Sequence, residues 1–277
     1  MFKCDQLIYI EMQKTGSTSI KSLLSNLFHG EQIGMHNAAT QDQITSNKYI
    51  ISSIRNPWDW YLSLWSFGVL GDGDLMKRLT KRNDSRLSHE LSENVTLWRD
   101  LYDRGDNVDS FRKWLKLIHN PGNSHFMGEG YANTAIVSFC GFMTYRYLYL
   151  CCQNISELIN PGLISSYTDL VQFEKNNCYI SFFIRQESLK DNLCKAVEKV
   201  RPITREEKEL IYGAEKALVS KRRFLISDYY DKESIELVRS RDRLLVTKFD
   251  YSPPQIAEQG AAQYGESATL HPRQGAL

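Results

Sequence analysis

At 277 residues the chain is long enough to bury a substantial core, and it reads as one α/β domain rather than two. Hydrophobic residues make up 42% and charged residues 24%, the balance of a globular protein. A net charge of +1 gives no long-range signal for nucleic acid or for an anionic membrane, so any basic site must be local.

The first informative stretch is residues 7–27, LIYIEMQKTGSTSIKSLLSNL. Leu7, Ile8, Tyr9 and Ile10 are strand formers, whereas Ile20, Leu23, Leu24, Leu27 and Phe28 recur at helical spacing with one buried face. Between them lie Lys14, Thr15, Gly16, Ser17, Thr18 and Ser19. Glycine lets the backbone turn and approach a ligand, and the open amides and dipole at a helix start favour an anion. Lys14 adds a full positive charge. The order excludes a kinase-type phosphate loop, in which Gly precedes Lys-Ser/Thr. A Ser/Thr-rich helix cap on an ordinary α/β domain is the plain alternative. Because the first strand begins by Leu7, no room is left for a secretory leader, and an intracellular, cytoplasmic protein is expected.

Residues 29–40 read as a loop that should emerge near this turn. It carries His36, whose imidazole can take a proton near neutral pH, and Glu31, a second candidate base. Residues 48–65 repeat the strand-turn-helix pattern. Tyr49, Ile50, Ile51 and Ile54 form the strand, Asn56 caps the next helix, and Pro57 fits its first turn. Arg55 stands at the carboxyl end of that strand, where open α/β sheets bind ligands.

Two motifs in this order resemble the sulfotransferases that use 3′-phosphoadenosine 5′-phosphosulfate (PAPS). The Lys-Thr-Gly-Ser-Thr-Ser turn is similar to their 5′-phosphosulfate loop, and the segment Ile54-Arg55-Asn56-Pro57-Trp58-Asp59 resembles their second fingerprint, closest to the bacterial and Golgi carbohydrate type. The resemblance implies a three-layer, P-loop-like α/β fold with a central, mainly parallel sheet and helices on both faces. It implies that Lys14 and the amides of residues 15–19 hold the 5′-phosphosulfate, and that Arg55 and Ser63 hold the 3′-phosphate. It also implies that His36, in a Gly-x-His context, is the base. The expected reaction moves a sulfuryl group to a hydroxyl, or an amine, of a carbohydrate or small-molecule acceptor, and it requires no metal. Gln13 and Trp60 depart from the family, which often has Pro and Arg at these places.

Residues 68–105 are charged, with scattered apolar positions, and read as an insertion or lid. Val108, Phe111, Trp114, Leu115 and Ile118 then mark a helix, stopped at Asn120-Pro121-Gly122. Residues 135–152 approach the length of a membrane span but carry Arg146, so a buried helix is expected there. Residues 179–184 suggest another strand, with Arg185 and Glu187 tying it to the following helix. Thr204 and Glu207 form a capping box. Arg222 and Arg223 belong to a late basic cluster, the kind of segment that in many sulfotransferases closes over the 3′-phosphate. A helix over residues 234–249 follows, and residues 252–277 have the composition of a flexible tail, which leaves 1–251 as the domain. The six cysteines, 4, 140, 151, 152, 178 and 194, include no zinc-type spacing and are expected as reduced, mostly buried thiols. Two other functions share the turn: a nucleotide kinase, which would need acidic magnesium ligands not visible here, and a PAPS-binding protein without catalysis.

Overall fold

Alternation along the central strands decides how the sheet is covered. Leu7 and Tyr9 point to one face and Ile8 and Ile10 to the other, and all four are fully buried, so apolar layers must lie on both sides. The computed structural model describes residues 1–80, 89–215 and 224–256, with the helical backbone alone over 89–94. Arg222, Arg223 and the tail from residue 257 lie outside the described residues.

Five strands, β1 (Phe2–Cys4), β2 (Leu7–Ile10), β3 (Gly30–Gln32), β4 (Tyr49–Ile54) and β5 (Phe182–Arg185), form one sheet in the order β3-β1-β2-β4-β5. β2, β4 and β5 are parallel, with Ile8 opposite Ile50 and Ile51 opposite Phe182. β1 is antiparallel to both β2 and β3, so it alone runs against the other four. In chain order the helices are α1 (Ser17–Leu27), α2 (Gln41–Ile44), α3 (Pro57–Val69), α4 (Asp74–Thr80), α5 (His89–Asp100), α6 (Val108–His119), α7 (Ser124–Met127), α8 (Phe142–Cys151), α9 (Tyr167–Asn177), α10 (Leu189–Glu198), α11 (Arg205–Gly213), α12 (Ile226–Tyr229), α13 (Lys232–Arg241) and α14 (Arg243–Lys248).

On one face Leu7, Tyr9 and Ile51 pack against α1, α10 and α11 through Leu24, Val197 and Ile211. On the other, Ile8, Ile10, Ile50 and Ile54 meet a larger aromatic core that includes Trp58 and Trp65 of α3, Trp114 of α6 and Tyr147 of α8. Helices therefore flank a mainly parallel sheet, as the strand pattern predicts. Asn56 caps α3 by accepting from the Trp58 amide, with Pro57 at the first helical position, and the Thr204–Glu207 capping box opens α11.

Three segments differ from expectation. Residues 30–32 form an edge strand instead of a loop; Gly, Glu and Gln are all exposed there, so no buried face marks the strand in the sequence. The stretch over 68–105, read as an insertion or lid, sends Leu75, Leu79, Trp98 and Leu101 into the larger core, more buried contact than its charged composition suggests. The helix expected over 234–249 breaks at Asp242, whose carboxylate turns inward. It accepts from the Thr144 amide at 2.9 Å, the Thr144 hydroxyl at 2.7 Å and the Tyr61 hydroxyl at 2.7 Å. Gly141 allows this approach, since a Cβ at that position would stand 2.5 Å from the carboxylate. The apolar stretch over 135–152 resolves into a 3₁₀ turn and the buried α8, and among the described residues no helix is long and apolar enough to cross a membrane.

Candidate functional site

β2, β4 and β5 point their carboxyl ends the same way, which gathers the residues that follow them at one edge of the sheet. After β2 comes the turn of residues 13–16, in which Lys14 (φ 62°) and Gly16 (φ 83°) are both left-handed. Turns of this kind collect successive amides into a concave anion site. α1 starts at once from Gly16, which offers no side chain to cap the helix's first amides. Thr15 does not offer its side chain to this site. Its hydroxyl, fully buried, is bonded to the Met12 carbonyl at 2.7 Å and to Ser53 at 2.6 Å.

Arg55, at the end of β4, braces the turn by donating through Nη1 to the Lys14 carbonyl at 3.1 Å. Its Nε and Nη2 donate to Asp59 at 3.1 and 2.8 Å. Three of the five guanidinium N–H donors are thereby used, leaving two for a ligand. Ser63 lies on α3 four residues after Asp59, on the same helical face, and is 8% exposed. Phe67 is four residues further, and the Lys14 ammonium rests 3.6 Å from the centre of its ring. The Lys14 side chain thus lies along the helix face that starts from Arg55.

The turn borders two cavities. The larger, about 660 Å³, is lined by Gly16 and Ser19, by residues 186–191 after β5, and by residues 212–215 at the end of α11 and just beyond it. The smaller, about 300 Å³, is lined by Lys14, His36, Gln13 and Trp60, with Arg78 of α4 and Arg146 of α8 on its walls. Both fall in the size range of small-molecule sites.

His36 reaches the smaller cavity because the short β3 carries the chain past the level of Ile8, and the loop after it emerges beside Glu11. Its Nδ1 is 3.0 Å from the Glu11 carbonyl. A carbonyl can only accept, so Nδ1 carries the proton and Nε2 keeps its lone pair. Burial lowers the His36 pKa below the ordinary imidazole value, partly offset by that carbonyl. Glu31, the other candidate base, is exposed on β3 and lines a separate cleft with Lys3, His29 and Lys48.

Arg146, Arg78 and Glu129 belong to the site but carry no motif. Arg146 is buried and ion-paired with Glu129; burial and the neighbouring Arg78 push its pKa down to about 9. Its place inside an apolar helix is the one sequence signal that pointed to it. Five non-glycine residues among those described have positive φ, and three of them, Lys14, His36 and Glu129, line this cavity. Backbone strain of this kind concentrates where surrounding structure enforces a functional geometry. The two departures noted in the motifs also meet here: the Trp60 indole donates to the Gln13 carbonyl at 2.7 Å, and the Gln13 side-chain oxygen is buried with no partner among the described residues.

Arg185 and Glu187 do more than join strand to helix. Glu187 accepts from the Asn56 amide at 2.6 Å, and Arg185 donates to the Phe249 carbonyl and lies over the Tyr251 ring. Together they fasten residues 249–251 beside the strand ends. The chain matches no family model, no curated protein and no solved structure. A function for the site has to come from its own chemistry.

Proposed function

We propose that this protein is a PAPS-dependent sulfotransferase on a P-loop-like, three-layer core, acting on a hydroxyl, or an amine, of a carbohydrate or small-molecule acceptor. One observation carries the reading. The turn of residues 13–16 and the first turn of α1 border both cavities, with Gly16 and Ser19 on the larger and Lys14 beside His36 on the smaller. A transfer enzyme needs that division, with donor on one side, acceptor on the other, and the cation and base where they meet.

In this scheme the nucleotide's 5′-phosphosulfate lies on the turn amides at the edge of the larger groove, and its 3′-phosphate on Arg55 and Ser63, which stand outside that groove's lining. The acceptor occupies the smaller cavity. Its oxygen attacks sulfur in line with the sulfur–oxygen bond to the 5′-phosphate, that bond breaks, and adenosine 3′,5′-bisphosphate leaves. The acceptor proton passes to His36 Nε2, for which the Glu11 carbonyl sets the tautomer. Lys14 and the turn amides oppose the charge that grows on the leaving phosphate, the kind of prearranged electrostatics that supplies most of the rate in such displacements. Trp60, Phe67 and Phe142 give the acceptor cavity apolar surface, while Arg78 and Gln13 supply polar contacts.

The test is nucleotide selectivity by calorimetry. Adenosine 3′,5′-bisphosphate should bind more tightly than AMP, since a charge-assisted phosphate contact contributes roughly 1.5–3 kcal/mol. Equal affinities would remove the assignment.

A further inference from the structure

Cys152 and Cys178 face each other where the chain leaving α8 meets the chain leaving α9. They form an isolated antiparallel bridge, closed by Gln153 N–H to the Asn177 carbonyl at 3.0 Å and Tyr179 N–H to the Cys151 carbonyl at 3.1 Å. These bonds flank the two cysteines instead of joining them, so the pair occupies the non-hydrogen-bonded register. There the facing Cα atoms come to about 4.5 Å and the side chains stand closest. Disulfides span Cα separations of about 4.4–6.8 Å, a range that includes this register. The sulfurs already lie within 4.8 Å of one another.

The two thiols are not equivalent. Cys152 is buried, whereas Cys178 is partly exposed and can meet a reagent from solvent. A hydrogen bond from Cys152 draws the Cys178 thiol below its ordinary pKa, against the opposing effect of burial. Cys178 therefore has the attributes of an attacking sulfur, and Cys152 those of a resolving one.

Glu174 completes a trio that could in principle hold a metal ion. Its carboxylate is already engaged by the Lys248 ammonium at 2.7 Å and the Tyr147 hydroxyl at 2.6 Å. Both partners hold the same oxygen, Oε1, and the adjacent ammonium would repel a metal cation at this carboxylate, which favours thiol chemistry over coordination.

We propose that Cys152 and Cys178 are a redox-active dithiol that closes to an intramolecular disulfide by exchange with a low-molecular-weight disulfide of the glutathione class. The Cys178 thiolate attacks one sulfur of the external disulfide, whose S–S bond breaks and releases one thiolate, which takes up a proton. Cys152 then loses its proton and attacks the Cys178 sulfur, expelling the second external thiol. Two protein thiols are oxidised and one external disulfide is reduced to two thiols. The next residue, Tyr179, donates through its hydroxyl to the Leu150 carbonyl and accepts from the Ala39 amide at 3.1 Å, so the couple adjoins the anchor of the loop that carries His36.

The experiment equilibrates the full chain with mixtures of oxidised and reduced glutathione at pH 7, quenches with acid and alkylating agent, and maps the peptides by mass spectrometry. A 152–178 linked peptide pair should be the main product. Cys152→Ala should trap glutathione on Cys178, and Cys178→Ala should leave Cys152 unmodified over the same period, with circular dichroism confirming that both variants fold. Wild-type protein that keeps glutathione on Cys178 without closing would overturn the proposal, as would thiols that both survive full oxidation. Stoichiometric zinc that shields both thiols from alkylation, and fails to do so in Glu174→Gln, would also overturn it in favour of a metal site.

Discussion

Replacing His36 with Asn separates the base from the fold. Asn tolerates a left-handed backbone such as the φ of 52° found here, and its side-chain amide can still donate to the Glu11 carbonyl, but it cannot take a proton at neutral pH. Alanine would add strain and leave that carbonyl without its donor, a loss of about 1 kcal/mol in stability that has nothing to do with catalysis. A positioned general base contributes about 10²–10⁴ in rate, or roughly 2.7–5.5 kcal/mol of barrier. His36→Asn should therefore lose turnover by that factor while binding adenosine 3′,5′-bisphosphate almost normally. The pH profile supplies an independent reading. Burial lowers the His36 pKa below 6.5, and the base works when neutral, so activity is full above that pKa and falls as pH drops through it. The acid limb of kcat/KM should have its midpoint below 6.5 and disappear in the variant's residual activity. Steady-state turnover from pH 5 to 8, with Glu31→Gln as the control expected to behave as wild type, checks both. Near-normal turnover in His36→Asn, or an acid limb that survives the substitution, would refute the assignment.

Lys14→Ala should lower single-turnover rates by about a hundredfold or more if its ammonium opposes charge that develops in the transition state; an unchanged rate would take Lys14 out of the mechanism. Arg55→Ala should cost the bisphosphate roughly 1.5–3 kcal/mol in calorimetry and AMP far less, whereas equal losses would mean that Arg55 only braces the turn. Asp242→Ala would strand the buried Thr144 amide and Tyr61 hydroxyl, and should reduce stability by roughly 2–5 kcal/mol, read as a lower urea midpoint at unchanged slope.

What was legible in the sequence followed from local rules. The strand and helix on either side of Lys14–Ser19 announce themselves by a change of hydrophobic period, and Asn56-Pro57 fixes the start of α3 by capping chemistry. Parallel strands then place Arg55 and the turn at one edge without further information. Long-range choices were not legible. Thr15 has the composition of a phosphate ligand, yet its hydroxyl is taken by Ser53, thirty-eight residues away in the chain. Asp242 sits where any surface helix tolerates a carboxylate, and only the inward-facing Thr144 and Tyr61 explain the break it makes between α13 and α14. Arg78 and Glu129 enter the cavity through tertiary packing that no motif announces.

The central claim is transfer. PAPS labelled in its sulfuryl sulfur, incubated with the protein and pooled acceptors bearing hydroxyls or amines, carbohydrates included, tests it directly. The account predicts label in an acceptor fraction, an equal amount of adenosine 3′,5′-bisphosphate released, and loss of both in Lys14→Ala. PAPS that binds as tightly as the bisphosphate yet keeps its label and releases no product would contradict the account and leave a nucleotide-binding protein.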